Sequence, residues 1–324
     1  MKYTNLGTSG LKVSSIGLGG WQFGSKGWGY GREFHRNDVM AIIQRALDLG
    51  VNFIDTAEIY ARGKSEEIIG AAIQEHRDEV VIATKFLPLT LRPSKIRKAV
   101  KNSLKRLQVD TIDLYQIHWP IPFVSKKRIL HYMEEMVKAG IIRYIGVSNF
   151  SKKQLEKART SLKSEEIVSN QVKYNMLQRG IEEDLLPYAR KERISIIAYS
   201  PLAQGILTGK YRERGPKGGI RRTNRLFAPI NLKRAWPVLD ELAHAASTHK
   251  ATSAQVAIAW AIRDPTVIAI PGAKSIEQLT SNVKAAELVL SQKELQQLET
   301  TLQAFNPAKI RSTLWAVYSV LFRW

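Results

Sequence analysis

The stretch FIDTAEIY, residues 53–60, begins as a buried β-strand with Phe53 and Ile54, puts Asp55 where the strand should finish, and sets Tyr60 five residues further on. A carboxylate that ends an apolar strand is costly to bury unless a partner meets it. Around VNFIDTA (51–57) lie seven further short runs rich in apolar and β-branched residues: SSIGLG (14–19), VVIATK (80–85), LYQIHW (114–119), RYIGVSN (143–149), VSNQVKY (168–174), ISIIAYS (194–200) and TVIAIPG (266–272). Segments of helical periodicity separate them, such as NDVMAIIQRALDLG (37–50) and SKKQLEKARTSLK (151–163). Strands that alternate with helices predict an α/β fold with a parallel sheet. Eight of them is the number that closes a (β/α)8 TIM barrel.

In such a barrel the chemistry gathers at the C-terminal ends of the strands, so polar residues that finish apolar runs become the candidates. They form an orderly series: Asp55, Lys85, His118, Ser148 with Asn149, Gln171, and Tyr199 with Ser200. A two-domain dinucleotide-binding enzyme is the rival fold. Its G-x-G-x-x-G turn fails in GLGGWQFG (17–24), where Gln22 stands at the third glycine, and a P-loop fails at RGKS (62–65), where Glu58 stands at the first.

A tyrosine hydroxyl, with an ordinary pKa of about 10, is a poor acid or base at neutral pH unless a nearby cation stabilises its phenolate. Lys85 ends the next strand and can supply that cation, while Asp55 on the neighbouring strand end can pair with the lysine. His118 can orient a carbonyl oxygen or relay a proton. Each has a plainer reading alone: Asp55 as a turn cap, Tyr60 as loop packing, Lys85 as a snorkelling side chain, His118 as a core histidine. Together, on three successive strand ends, they read as a catalytic group.

Composition narrows the classes. The chain has 324 residues, 44% hydrophobic and 24% charged, with no cysteine, so disulfides, thiolate metal sites and a cysteine nucleophile are excluded. No metal is expected. MKYTNLGTSGLKVSS lacks the apolar core of a leader, and no run of about 18 apolar residues occurs, so the expectation is a soluble cytoplasmic protein. The net charge of +20 invites a polyanionic partner. Its densest run, RPSKIRKAVKNSLKRL (92–107), puts Ile96, Val100, Leu104 and Leu107 on one helical stripe with the cations opposite, which is the pattern of the outer side of a packed helix. Without a nucleic-acid motif or aromatic platform, no nucleic-acid partner is expected.

The segments GLGGWQFG, GVNFIDTAEIYARGKSEEIIG, VVIATK, SLKRLQVDTIDLYQIHWP, VKAGIIRYIGVSNFS, NQVKYN, AYSPLAQGILTGKY and IPGAKSIEQLTSN, in this order, give the chain a strong resemblance to the aldo-keto reductases over nearly its whole length to about residue 305. The resemblance implies one (β/α)8 barrel domain over 1–305 that binds a nicotinamide cofactor across its mouth, with 306–324 as an extension. It implies reversible hydride transfer between NAD(P)H and a small-molecule aldehyde or ketone. Position by position, Tyr60 resembles the general acid, Lys85 the residue that lowers its pKa, Asp55 the partner of that lysine, and His118 the carbonyl-orienting residue.

Ser148, Asn149 and Gln171 can hydrogen-bond a carboxamide, and the family uses the matching residues for the nicotinamide amide. Tyr199 resembles the aromatic on which that ring stacks, and Gly20 and Trp21 match the first strand end. The loop SPLAQGILTGK (200–210), with Ser200, Leu202, Gly205 and Lys210, suits a pyrophosphate. The segment PGAKSIEQLTSN should meet the adenosine end through Gly272, Lys274, Ser275, Gln278 and Asn282. Many members carry arginine where this chain has Gln278, yet Lys274 can grip a 2′-phosphate, so NADP(H) is preferred and NAD(H) possible. Trp21, Trp28 and Trp119, with Tyr60 and His118, suggest an aromatic-walled substrate pocket.

Two segments stand apart. RERGPKGGIRRTNR (212–225) reads either as a flap over the cofactor or as a simple disordered loop. The tail KIRSTLWAVYSVLFRW (309–324) carries a helical stripe of Leu314, Val317, Tyr318, Leu321 and Phe322, which fits packing on the barrel, a subunit contact or membrane-surface docking. The alternative function is a slow-turnover nicotinamide-binding module that reports its redox state through that tail.

Overall fold

The computed structural model describes residues 1–88, 93–122, 124–213, 215–216 and 220–308. The tail read as a packing or docking element lies outside the described residues, as do parts of the 212–225 insertion.

The chain opens with an antiparallel pair, β1 (Tyr3–Asn5) and β2 (Lys12–Ser14). Eight parallel strands follow: β3 (Leu18–Gly19), β4 (Phe53–Asp55), β5 (Val81–Phe86), β6 (Ile112–Ile117), β7 (Ile142–Ser148), β8 (Ile167–Lys173), β9 (Ser195–Tyr199) and β10 (Val267–Ile270). Each pairs with its neighbour in sequence. The ring closes where Ile16 bridges Ala269 in parallel, with Gly17 N donating to Ala269 O (2.8 Å) and Ala269 N to Ser15 O (3.0 Å). The (β/α)8 TIM barrel expected from the alternation is therefore what the chain forms.

Helices wrap the strands: α1 (Arg36–Asp48), α2 (Lys64–Ala72), α3 (Pro93–Leu107), α4 (Lys126–Lys138), α5 (Lys152–Arg159), α6 (Leu185–Lys191), α7 (Pro229–Arg234), α8 (Trp236–Thr248), α9 (Ser253–Ala261), α10 (Ile276–Lys284) and α11 (Gln292–Ala304). The basic helix α3 behaves as its stripe requires: Ile96, Val100 and Leu107 are buried, while Lys95, Lys98, Lys101 and Lys105 are exposed.

One reading is corrected. Residues 14–19 do not form a single strand, because Ser14 belongs to the hairpin strand β2 and only Ile16–Gly19 enter the barrel. The β1–β2 hairpin went unread, although two short strands flank turn residues in its sequence. It contributes to the barrel interior: Leu6 and Val13 pack with Phe53, Ala83, Leu114, Val168, Ile197 and Ile268. Gly7 sits at φ +56°, and a Cβ there would lie 2.2 Å from the Val168 carbonyl oxygen, so both the conformation and the space demand glycine.

Because Leu6 is fully buried, Leu6→Ala should cost about 2–5 kcal/mol of stability through the cavity it leaves. Urea unfolding checks this; an unchanged midpoint would mean that the hairpin is not part of the core.

Candidate active site

Lys85, on β5, is completely buried, and its ammonium has three N–H donors and no acceptor. One donor meets Asp55 Oδ1 at 2.6 Å, one the Thr56 carbonyl at 2.7 Å, and the third is directed at Tyr60 Oη at 3.3 Å. Since Tyr60 accepts from the lysine, its own O–H proton points elsewhere. Asp55 ends β4, and its second oxygen accepts from Gln171 Nε2 (2.7 Å) and Gln116 Nε2 (3.3 Å).

Burial lowers the Lys85 pKa from its ordinary value, with the Asp55 charge acting in the opposite sense. Tyr60 departs from the sequence reading, in which Lys85 lowers its pKa. Burial first, then the charge of Asp55, hold the phenol well above 10. The carboxylate 2.6 Å from the lysine offsets part of its charge, and burial of the phenol is the larger effect. His118 follows β6 and is pushed well below 6.5 by burial and by the Lys85 charge, which leaves a neutral imidazole. Its ring stands edge-on to Tyr60, with centroids 5.8 Å apart.

Of these groups Asp55, Tyr60, His118 and Gln171 line a cleft of about 2280 Å³ over the C-terminal ends of the strands. That exceeds the roughly 300–1,000 Å³ of an ordinary small-molecule pocket, so an extended ligand and a second molecule fit side by side. Trp21 and Trp28 meet edge to face at 4.9 Å, Trp21 lies 6.4 Å from the Tyr60 ring, and with Trp119 they line the cleft.

Ser148, Asn149, Gln171, Tyr199, Ser200, Leu202, Gly205, Lys210, Gly272, Lys274, Gln278 and Asn282 also line it. Several are tied to one another. Tyr199 Oη donates to Asn149 Oδ1 (3.0 Å), Asn149 Nδ2 to the His118 carbonyl (3.2 Å), and Ser148 Oγ to the Gln171 carbonyl (2.9 Å). Asn149 and Ser200 adopt φ of +61° and +53°, the kind of strained strand-end backbone that functional sites keep. Gly205 N already donates to Leu202 O, and Lys210 lies across that glycine, its Cε 3.2 Å from where a Cβ would be.

Two expected cofactor residues do not line the cleft. Gly20 donates to the Asp55 carbonyl (2.7 Å) and is packed too tightly for a side chain, and Ser275 caps α10 by accepting from Gln278 N. Gln278 in turn accepts from Lys274 N (3.0 Å), and Asn282 Nδ2 reaches the Gly272 carbonyl at 3.5 Å.

Sequence reasoning missed four participants. Gln116 shares a strand face with His118, and period two would have found it. Gly146 makes the room it needs, since a Cβ there would sit 2.9 Å from Gln116 Cγ. Arg221 stacks over Trp28 at 4.5 Å and donates to the Gln204 carbonyl at 3.0 Å, which pins the described end of the 212–225 insertion across the cleft. Lys173 stands 5.9 Å from the Tyr199 ring, and Glu33 pairs with Lys274 at 2.7 Å. No local pattern announces the last three.

The model of the Aldo/keto reductase family matches residues 15–303. The chain is similar to an uncharacterized oxidoreductase of Mycobacterium tuberculosis, 45% identical over 95% of this chain and 94% of the relative. It is also similar to the methylglyoxal reductase YeaE of Escherichia coli, 33% identical over 91% and 93%. A crystal structure of an aldo-keto reductase from Klebsiella pneumoniae in complex with NADPH superimposes with a TM-score of 0.78 at 32% identity, covering 96% of this chain and 98% of that one.

The electrostatics predict that His118 stays neutral throughout the neutral range. Its imidazole resonances, followed by NMR on labelled histidine, should titrate well below pH 6.5, and Lys85→Met should move the midpoint upward because a neighbouring positive charge is lost. An ordinary midpoint near 6.5, unmoved by that substitution, would contradict the geometry.

Proposed function

Because the chain belongs to the aldo/keto reductase family, and so is an oxidoreductase acting on carbonyl groups, we propose that it reduces aldehydes or ketones to alcohols with NADPH, with Tyr60 as the proton donor. The observation that carries this reading is the lysine's third donor. An ammonium that donates to Tyr60 Oη leaves the phenolic proton free to point at a carbonyl oxygen in the cleft. The phenol held protonated at neutral pH is the form an acid needs.

When bound, the nicotinamide supplies the hydride. His118, neutral and beside Tyr60, orients the carbonyl oxygen by a hydrogen bond. Tyr60 gives its proton to that oxygen as negative charge develops there, and Lys85 steadies the phenolate left behind. Asp55 and its two glutamine donors keep Lys85 in place. Trp21, Trp28 and Trp119 exclude water and favour apolar carbonyl compounds. The Trp28 indole N–H is buried and has no hydrogen-bond partner among the described residues.

The residues present fit the cofactor. Tyr199, fixed by Asn149, offers a flat face for the nicotinamide ring, and Ser148, Asn149 and Gln171 offer amide-matching groups. Lys210 and Arg221 flank the 200–210 loop for the pyrophosphate, and Lys274 with Gln278 and Asn282 takes the adenosine end. Lys274 at that end, near enough to Lys210 that its charge acts on it, supports NADP(H) over NAD(H). We also read residues 1–305 as one barrel domain and 306–324 as its extension; Asn231 holds the start of that extension by accepting from Ala308 N at 2.7 Å.

NADPH oxidation with a panel of aldehydes and ketones tests this. Tyr60→Phe should lower kcat by about 10²–10⁴-fold with cofactor affinity unchanged. If wild type binds NADPH but turns over nothing, or if the variant is as active, the proposal fails.

The pH dependence follows from the raised Tyr60 pKa. The acid form persists below that pKa, so reduction should not lose the Tyr60 proton below about pH 10, whereas alcohol oxidation, which needs the phenolate, should keep rising with pH. A reduction rate that already falls with a midpoint near neutrality, and does so only when Tyr60 is present, would contradict this.

A further inference from the structure

Lys274 does not wait free for a phosphate. Its Nζ lies 2.7 Å from Glu33 Oε2, an ion pair that joins the loop before α1 to the loop before α10 at the rim of the cleft. The carboxylate is seated by the backbone beneath it. Glu33 N donates to the Gly29 carbonyl at 2.8 Å, and Gly29 adopts φ +95° where a Cβ would stand 2.5 Å from Glu33 Cδ. Only glycine at that position lets the carboxylate fold back toward Lys274.

Three cations of the cleft wall, Lys210, Arg221 and Lys274, converge on this corner. Lys210 is depressed by burial and then by the charges of Arg221 and Lys274, while Glu33 acts on it in the opposite sense. The Glu33 carboxylate itself is held below its ordinary range by its hydrogen bonds to Lys274 and Arg32. Arg32 is largely exposed and pairs at 3.0 Å, so the partner that matters is Lys274, whose side chain is 18% exposed.

We propose that Glu33 is a built-in anion: its carboxylate occupies the cationic corner of the cofactor cleft and sets how strongly the protein prefers a 2′-phosphorylated dinucleotide. The inference rests on the reading that Lys274 takes the 2′-phosphate. A phosphate carries about −1.5 to −2 at neutral pH against the carboxylate's single charge, so it can displace Glu33, but only by breaking an existing ion pair. A dinucleotide without that phosphate leaves the pair intact. Glu33 therefore weakens NADPH binding selectively and narrows the preference that the cations create.

Titration of tryptophan fluorescence with NADPH, NADH, 2′-AMP and 5′-AMP, without any turnover, tests this in wild type, Glu33→Gln, Lys274→Met and the double variant. Glu33→Gln should bind NADPH and 2′-AMP about two- to five-fold more tightly, the range of an exposed ion pair, with NADH and 5′-AMP unchanged. The gain should shrink at high salt and vanish in the Lys274→Met background. Unchanged or weaker NADPH binding by Glu33→Gln, while Lys274→Met still loses the preference for NADPH, would overturn this inference alone. If Lys274→Met keeps the preference, the reading of the adenosine end fails and the inference fails with it.

Discussion

The site depends on one buried ion pair. Lys85 and Asp55 are 0% and 2% exposed and 2.6 Å apart, and neither charge is tolerable there without the other. Removing one partner of such a pair typically costs about 3–5 kcal/mol, because the other is left buried and uncompensated. The pair also organises its neighbours. Thr56 turns its carbonyl to the ammonium, two glutamine amides converge on the carboxylate, and the remaining lysine donor aims at Tyr60. An ammonium has no lone pair, so every contact it makes fixes the direction of an acceptor.

A second buried pair holds the loop that carries Tyr60. Glu66 on α2 is fully buried and accepts from Thr84 Oγ1 and Arg106 Nε, both at 2.7 Å. Arg106 lies over Gly63, where a Cβ would approach its Cδ to 2.5 Å. Between Tyr60 and that glycine, Ala61 and Arg62 take the left-handed φ of +49° and +58°. Such backbone persists only where its surroundings overdetermine it. Here Ser65 Oγ donates to the Gly20 carbonyl, Thr56 Oγ1 donates to Ser65 Oγ, and Arg106 closes the far side.

The cleft is electrically divided. Its floor carries a compensated pair, a protonated phenol and a neutral imidazole, all set by burial. Its rim carries Lys210, Arg221 and Lys274, the last of them paired with Glu33. A low-dielectric floor suits a reaction in which charge appears and disappears on one oxygen, and a cationic rim suits the anchoring of phosphates.

The strands, the barrel and the strand-end residues were legible in the sequence because they rest on local periodicity. An apolar run that ends in Asp55, Lys85 or His118 says what is buried and where polarity returns, and the ring of eight brings those ends to one mouth whatever the details. The hairpin that contributes Leu6 and Val13 to the barrel interior was missed, since its strands are three residues each and too short to show alternation. Arg221, Lys173 and the Glu33–Lys274 pair were decided only by the tertiary structure. Glu33 and Lys274 are 241 residues apart, and what joins them is barrel closure between β3 and β10 together with the space left at Gly29. The protonation of Tyr60 belongs with them. Sequence supplied the lysine that should lower its pKa, but burial and the carboxylate beside that lysine, both products of the fold, hold the phenol above its ordinary value.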